Sequence, residues 1–419
     1  MSQKKSSIWT KDFILICLAG LATNICMRML DSNLASFANA AWQSKTLGGQ
    51  LTSFFNVGSI LMAFFAGRLV DMRGRRKMLM AFCILFAIPA VFMALVQVPG
   101  VALGARLIQG IAKGVVTVAL ASVVSDITPR EKMNEGMGMF NLGSTASFAF
   151  GPMLGLALVD RGGYKLMFIV CAIAYAFGAV FAHFIRYEDK QEKPAVKEVV
   201  KEDDSEYKGV WKLIAKEAIP AALNNTIFFG SYAAILVFLT VFAQEILGLN
   251  SAQIGLFYTV AAVAMLVVRL LTAKVGDKYG PLYLIVPGHL IIMLGLLLLA
   301  LFAKGNYIAF LAAGACYGVG QAITTPALNT CAVLDTPAKR SATANATFYF
   351  MMDFGILFAS AGFGALIDAS ATAEIGYKMT FLISIGVCLF SMLLSIFFFN
   401  NKAIAKRRKD LQSQYAKRP

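Results

Sequence analysis

Charged residues are scarce in this sequence of 419 amino acids, since Asp, Glu, Lys and Arg together make up only 15% of it. A soluble globular domain usually carries about 25% charged residues. Apolar residues make up 58% and fall into stretches of about 20, the length at which a helix crosses a hydrocarbon core. The composition therefore argues against a soluble protein and for membrane-spanning helices.

The residues that build metal sites and enzyme active sites are few or unsuitably spaced. There are only two histidines, and the seven cysteines lie in apolar segments with no CxxC pair, which argues against a zinc site or a disulfide framework. The sequence has no Walker-type phosphate loop, no HExxH and no GxSxG. We therefore expect no enzyme, no metal and no cofactor.

Apolar stretches are what the sequence has in abundance, and hydropathy predicts twelve of them. They cover residues 12–38, 47–70, 77–96, 100–124, 135–159, 164–185, 219–246, 251–275, 281–303, 306–332, 342–369 and 376–400. The first stretch is too long for a signal peptide and lacks a cleavage site of small residues, so we expect it to be retained. The expected fold is all-α and integral to a membrane, with twelve transmembrane helices.

The basic residues are distributed unevenly between the two ends of these stretches. Of the 38 Lys and Arg residues, 29 fall on one side of the predicted membrane, five on the other and four inside spans. The positive-inside rule then predicts that both termini lie in the cytoplasm. It also fits an expected location in the cytoplasmic (inner) membrane. We therefore attribute the net charge of +15 to basic residues that face the anionic inner leaflet of the membrane. A nucleic acid partner is not expected.

One polar segment divides the chain. Residues 186–218 carry alternating charges, which is typical of a cytoplasmic linker. We predict a six-helix bundle on either side of it, at residues 1–185 and 219–400, and a basic cytoplasmic tail at 401–419.

The two halves also resemble each other. Residues 67–77 align with 273–283 and residues 150–160 with 358–368, at offsets of 206 and 208. Matches in register over this distance predict an internal duplication, and hence two pseudo-symmetric bundles, a common design in secondary transporters.

The first aligned segment, GRLVDMRGRRK at residues 67–77, resembles the signature loop of the major facilitator superfamily, and the resemblance extends over essentially the whole chain. It implies that family's fold of two six-helix bundles and a loop that holds the two halves in one state. The implied conformational gate consists of Gly67, Asp71, Gly74 and Arg75, with Asp277 and Gly280 in the second copy. The alternative is a solvated basic loop that only fixes topology.

Another segment, Arg106 to Gly110, resembles a family signature associated with proton coupling. Arg106 lies about 8 Å and Asp31 about 12 Å from the outer ends of their spans, so an arginine side chain can bridge them. Because a charge inside a membrane is costly, we expect Asp31 and Arg106 to face a cavity and to couple to protons. A permanent structural ion pair is the alternative, and Asp353, near the midplane, is the second coupling candidate.

Further polar residues in the spans are candidates for a substrate cavity. Arg28 and Lys113 lie near Asp31 and Arg106, where they can either neutralise Asp31 or hold an anionic group of a substrate. Arg269 is the candidate partner of Asp353, unless it extends to the cytoplasmic interface. The remaining candidates are Asn24, Asn224, Tyr232 and Tyr349.

Gly151, Pro152 and Gly155 resemble the antiporter signature of the family's drug and proton antiporter branch. The match is partial, because Ser147 and Leu156 stand where the fuller pattern has glycine. The resemblance implies export. A helix kink with close packing, unrelated to direction, is the alternative.

These observations favour a monomeric, proton-coupled secondary transporter that exports a small organic solute through the membrane by antiport. The alternative is proton-coupled uptake of a small organic anion held by Arg28 and Lys113. A more distant possibility is a membrane sensor on the same scaffold. The expected partners are a small-molecule substrate, protons and membrane lipid.

Overall fold

A computed structural model describes residues 8–129, 132–187, 211, 213–272, 280–337 and 340–399 of the chain. The described residues form twelve α-helices and a short 3-10 turn at Lys216–Ala218. The helices are α1 Lys11–Trp42, α2 Lys45–Ala63, α3 Ala66–Arg73, α4 Arg75–Leu95, α5 Pro99–Ile127, α6 Met133–Phe184, α7 Ile219–Glu245, α8 Ser251–Thr272, α9 Leu282–Leu301, α10 Tyr307–Asp335, α11 Ser341–Ala369 and α12 Ala373–Phe398.

Ten helices of the described ranges are long and apolar enough to cross a membrane, and an eleventh span results if α2 and α3 count as one. These two helices meet at a bend of 58°, within the stretch that hydropathy treats as a single span. Two other predicted spans are merged into the 52-residue helix α6, which is interrupted by non-helical backbone at Gly162 and Gly163. The fold is thus all-helical and membrane-spanning, and the number of twelve spans stays a prediction.

The chain divides into two compact units. The first contains residues 1–43 and 50–196, and the second contains residues 44–49 and 197–419. The first turn of α2 therefore belongs to the second unit, a division that the sequence did not suggest.

The two units repeat one packing pattern. In the first unit α1 packs along α6, and α4 packs against both α5 and α6. In the second unit α7 packs along α11, and α9 packs against both α10 and α12. Gly74 and Gly280, which the sequence alignment pairs, both adopt a positive φ, of 89° and 99°. Glycine is the residue that adopts this conformation without strain, so the two halves share this backbone feature at the matching position.

Glycine also allows α2 and α5 to touch. A Cβ added at Gly110 would collide with the backbone oxygen of Phe55, and one added at Gly58 would collide with the backbone oxygen of Leu107. Close approach of this kind is typical of membrane helices that pack through small residues. It brings the segment around Arg106 against the backbone of α2.

We expect Gly110→Ala to destabilise the protein by about 1–3 kcal/mol, because the added methyl group meets backbone that cannot move aside. Gly104→Ala on the same helix is the matched control, since nothing lies within 4 Å of the Cβ position there. Thermal unfolding in detergent measures both variants. Equal unfolding temperatures for the two variants would contradict the packing described above.

Candidate functional site

An ion cluster lies in the interior of the first unit. Asp31 on α1 accepts a hydrogen bond from Arg106 on α5, with Nη2 3.3 Å from Oδ1. Its other oxygen lies 3.5 Å from Nη1 of Arg28, one turn earlier on α1. Asp31 is 8% exposed and Arg106 only 1%. The structure therefore brings together the two residues that the sequence proposed as a coupling pair.

Arg106 is held in place by more than this ion pair. Its Nη1 donates to the side-chain oxygen of Gln109 at 3.0 Å, and its Nε donates to the backbone oxygen of Leu51 at 3.4 Å. The guanidinium lies 4.1 Å from the ring centre of Phe55, within the range of a cation–π contact. These contacts satisfy the hydrogen-bonding groups of a cation inside the bundle and fix its position beside Asp31.

Positive charge exceeds negative charge in this cluster. Lys113 lies 5.4 Å from the centre of the Phe55 ring, and Arg28 lies 4.2 Å from the centre of the Phe148 ring. The side chain of Arg28 is 24% exposed, in contrast to the covered Arg106. The carboxylate of Asp31 thus faces two arginines, of which Arg28 is the more exposed.

The glycines of the antiporter-like segment pack directly behind the cluster. A Cβ at Gly151 would lie 2.6 Å from the Cβ of Arg28 and 2.9 Å from the backbone oxygen of Ile25. A Cβ at Gly155 would lie 2.7 Å from Cγ of Met29. Pro152 lies inside α6 between these contacts. The segment therefore sets how closely α6 approaches α1 at Arg28, which is a packing role whatever the direction of transport.

Around the signature loop, Arg75 pairs with Asp126 at the end of α5 and lies 3.7 Å from Asp71. Asp126 also accepts a hydrogen bond from the hydroxyl of Tyr187 at 3.3 Å. The sequence reasoning missed Asp126, although an acidic residue at the end of a predicted span was a usable signal.

The glycines of that loop differ from one another. Gly74 forms the turn between α3 and α4, whereas a Cβ at Gly67 would meet nothing within 4 Å. In the second copy Gly280 is described and Asp277 lies outside the described residues. A gating role for this loop stays a prediction.

In the second unit, the candidate coupling residue and its candidate partner lie on two different helices. Asp353 on α11 is 6% exposed, and Arg269 lies in the last turn of α8. Tyr349, one turn before Asp353, is 51% exposed. Within the described residues no group of three His, Cys, Asp or Glu side chains could hold a metal ion.

Asn24 and Asn224, both predicted to line the cavity, make internal hydrogen bonds. Asn24 donates to the backbone oxygen of Gly20 on its own helix at 2.8 Å. Asn224 donates to the hydroxyl of Ser395 at 2.8 Å and accepts from Ser391 at 2.7 Å. Ser391 also lies 2.9 Å from Nε2 of His289, so that α7, α9 and α12 are joined by one polar network.

Tyr232, the remaining cavity candidate, is 1% exposed and stacks on Tyr317 of α10. The ring centres are 4.4 Å apart and the planes are inclined by 12°. This pair fixes α7 against α10.

At the C-terminal end of α11, Asp368 caps the start of α2. Its carboxylate accepts from the backbone N–H groups of Lys45 and Thr46 at 3.0 and 2.7 Å and from the Ser44 hydroxyl at 3.0 Å. The Lys45 ammonium lies 3.0 Å from Glu245. The sequence reasoning missed these contacts because they join residues about 200 to 320 positions apart.

Comparison with known proteins identifies a family whose model matches most of the chain. The model of the Major Facilitator Superfamily matches residues 14–360. The multidrug resistance protein MdtG of Yersinia enterocolitica is 26% identical over 413 residues, which cover 95% of this chain and 94% of that protein. An uncharacterized MFS-type transporter of Methanocaldococcus jannaschii is 23% identical over 387 residues, covering 91% of this chain and 98% of that protein.

Solved structures agree on the fold. A mutant of the nucleoside transporter NupG superposes with a TM-score of 0.74 at 12% identity, covering 93% of this chain and 100% of that one. A bacterial homologue of the human lysosomal transporter Spinster superposes with a TM-score of 0.70 at 14% identity, covering 97% and 98%. At such identities the likeness concerns the fold alone.

Proposed function

Since the chain belongs to the major facilitator superfamily, and is therefore a membrane transporter and not an enzyme, we propose that it exports a small organic solute by proton antiport. The buried Asp31, between Arg28 and Arg106, is the observation that carries the proposal. The similarity to multidrug resistance proteins over most of the chain supports export.

The proposed coupling follows from the charges of the cluster. With Asp31 ionised, its carboxylate neutralises part of the positive charge of Arg28 and Arg106. When Asp31 takes up a proton, both ion pairs lose their attraction, and Arg28 can turn to a solute or to water. Solute and proton then compete for one group of side chains, which is the requirement for exchange in opposite directions.

Uptake of an organic anion together with a proton is the second candidate. The excess of positive charge around Asp31 favours it, because one carboxylate cannot neutralise both Arg28 and Arg106. A protonated Asp31 would leave still more positive charge for an anion. The two candidates use the same residues and differ in the direction of solute movement relative to the proton.

Everted membrane vesicles with an acidified interior distinguish them. We suggest three probes, namely ethidium as a permanent cation, chloramphenicol as a neutral solute and 2-naphthalenesulfonate as a permanent anion. The charge of these probes does not change between the two sides, so trapping by pH alone cannot imitate transport. Valinomycin with potassium removes the membrane potential, and vesicles without this protein give the background.

Antiport predicts that at least one probe accumulates inside the acidified vesicles, and that nigericin abolishes the accumulation. Symport predicts that preloaded vesicles lose a probe faster when their interior is acidic. If the pH gradient moves none of the three probes above background, the proposal of proton-coupled transport of such solutes is wrong.

A further inference from the structure

The hydroxyl of Tyr175 is a buried polar atom beside the ion cluster of the first unit. Tyr175 lies on α6 and is 0% exposed, and in the described structure its Oη has no hydrogen-bond partner. The side chain lies within electrostatic range of both Asp31 and Arg106. Buried polar atoms are nearly always paired, so an unpaired hydroxyl next to the proposed coupling pair requires an explanation.

A chain of contacts joins the ring of Tyr175 to Arg106. The ring stacks on that of Phe86 on α4, with the ring centres 4.6 Å apart and the planes inclined by 16°. Gln109 donates from Nε2 to the backbone oxygen of Phe86 at 3.4 Å, and its Oε1 accepts from Arg106 at 3.0 Å. The phenol and the guanidinium are therefore held in one assembly.

The residues on either side of Tyr175 show which helix this face of α6 meets. The thiol of Cys171, one turn earlier, shares a hydrogen bond with the thiol of Cys26 on α1. A Cβ added at Gly178, one turn later, would lie 3.5 Å from Cγ2 of Thr23, also on α1. Residues three and four apart share one side of a helix. Tyr175 therefore lies on the face of α6 that packs against α1, the helix that carries the carboxylate.

Protonation of Asp31 weakens one of the hydrogen bonds of Arg106. Nη1 and Nε of the guanidinium are used by Gln109 and by the backbone of Leu51, and Nη2 donates to Asp31. Hydrogen bonds to a carboxylate are stronger than those to a neutral carboxyl group, so Nη2 needs a better acceptor once Asp31 is neutral. A phenol oxygen can accept as well as donate, and in the described structure that of Tyr175 does neither.

We propose that Tyr175 is a positioning residue, which accepts a hydrogen bond from Arg106 when Asp31 is protonated. The hydroxyl then stabilises the proton-loaded state of the cluster, and its lack of a partner belongs to the state in which Asp31 is ionised. The inference rests on the proposed coupling role of Asp31, to which it adds a third side chain.

The titratable and charged groups around Tyr175 come from four helices. They are Asp31, its partner Arg28 and Cys26 on α1, Cys83 on α4, Arg106 on α5 and Cys171 on α6. A thiol ordinarily titrates at about pH 8.5 and an arginine above about pH 12. A change of protonation in this cluster below neutral pH is therefore assigned to Asp31.

The first test follows the protonation of Asp31 in the purified protein. A protonated carboxyl group has an infrared C=O band that a carboxylate lacks, and subtraction of the spectra of Asp31→Asn isolates the band of Asp31. In Tyr175→Phe, which removes only the hydroxyl, half of this band should require a proton concentration about fivefold higher than in the wild type, the equivalent of one hydrogen bond. Tyr258→Phe is the matched control, since its hydroxyl is paired with Thr240 at 2.9 Å in the second unit, and it should titrate like the wild type.

The second test is thermal unfolding in detergent at neutral pH, with Asp31→Asn standing for the neutral carboxyl group. Tyr175→Phe removes an unpaired atom from the protein with ionised Asp31, so its unfolding temperature should equal that of the wild type. In the Asp31→Asn background the hydroxyl has a partner, and the same change should lower the unfolding temperature. Equal falls in both backgrounds would overturn the proposal, because the hydroxyl would then serve the fold in either state.

An unchanged titration of Asp31 in Tyr175→Phe also overturns the proposal. A shift to a lower proton concentration does so as well, since the hydroxyl would then be donating to the ionised carboxylate, and so does the absence of any titrating Asp31 band. Neither test needs a transported solute. The expected shift in a protein without gradient-driven flux would refute the proposed transport and leave Tyr175 in its role, whereas an unchanged titration with intact flux would refute the role of Tyr175 alone.

Discussion

Asp31→Asn should abolish transport driven by a pH gradient and leave solute exchange intact. The amide keeps the size of the carboxylate and can still contact Arg28 and Arg106, but it cannot take up or release a proton at neutral pH. In vesicles loaded with a probe that the wild type accumulates, exchange of labelled for unlabelled probe should persist. Accumulation against a gradient should fall to the level of vesicles without the protein.

Glu374→Gln is the control for this change. It makes the same replacement of a carboxylate by an amide at the exposed pair with Lys304, whose side chains are 52% and 64% exposed. We expect normal accumulation from this variant. If Asp31→Asn accumulates the probe as well as Glu374→Gln does, the Asp31–Arg106 pair is structural and the proton is carried elsewhere, with Asp353 the next candidate.

Arg106→Gln is expected to produce the largest loss of stability. Arg106 is 1% exposed and contacts Asp31, Gln109 and the backbone of Leu51, so its removal leaves Asp31 with Arg28 alone. Removing one partner of a buried ion pair typically costs about 3–5 kcal/mol, because the other charge remains. The unfolding temperature of the purified variant measures this effect, and Arg161→Gln, on the surface, is the matched control.

The double variant Asp31→Asn, Arg106→Gln sharpens this prediction. It removes the remaining charge as well, so it should be more stable than Arg106→Gln alone, and the two changes should not be additive. Strict additivity would show that the two side chains do not interact in the folded protein, contrary to the 3.3 Å contact.

The sequence predicted the membrane fold, the duplication and the meeting of Asp31 with Arg106. Hydropathy and charge report depth in a membrane, and the two residues lie at similar depths, so a contact between them could be expected. The paired turns at Gly74 and Gly280 follow from the same repeat. These features depend on position along each span, which the sequence records directly.

Features that depend on the rotation of helices about their axes could not be read from the sequence. Asn224 and Asn225 are adjacent and chemically identical, yet one is engaged with α12 and the other is left with an unpaired oxygen. The contact of Arg75 with Asp126, and the cap that Asp368 provides to α2, likewise depend on which faces meet. The bend between α2 and α3 had no proline to signal it.

The measurement that tests the central claim most directly is proton movement driven by a solute gradient. Purified protein is reconstituted into liposomes that contain a pH-sensitive dye, and a probe accumulated in the vesicle assay is added outside without any imposed pH gradient. Antiport through Asp31 predicts that the interior becomes more alkaline as the probe enters, whichever way the protein is inserted, and that Asp31→Asn shows no change. Acidification of the interior, or entry of the probe into wild-type liposomes without any change of pH, would contradict the account.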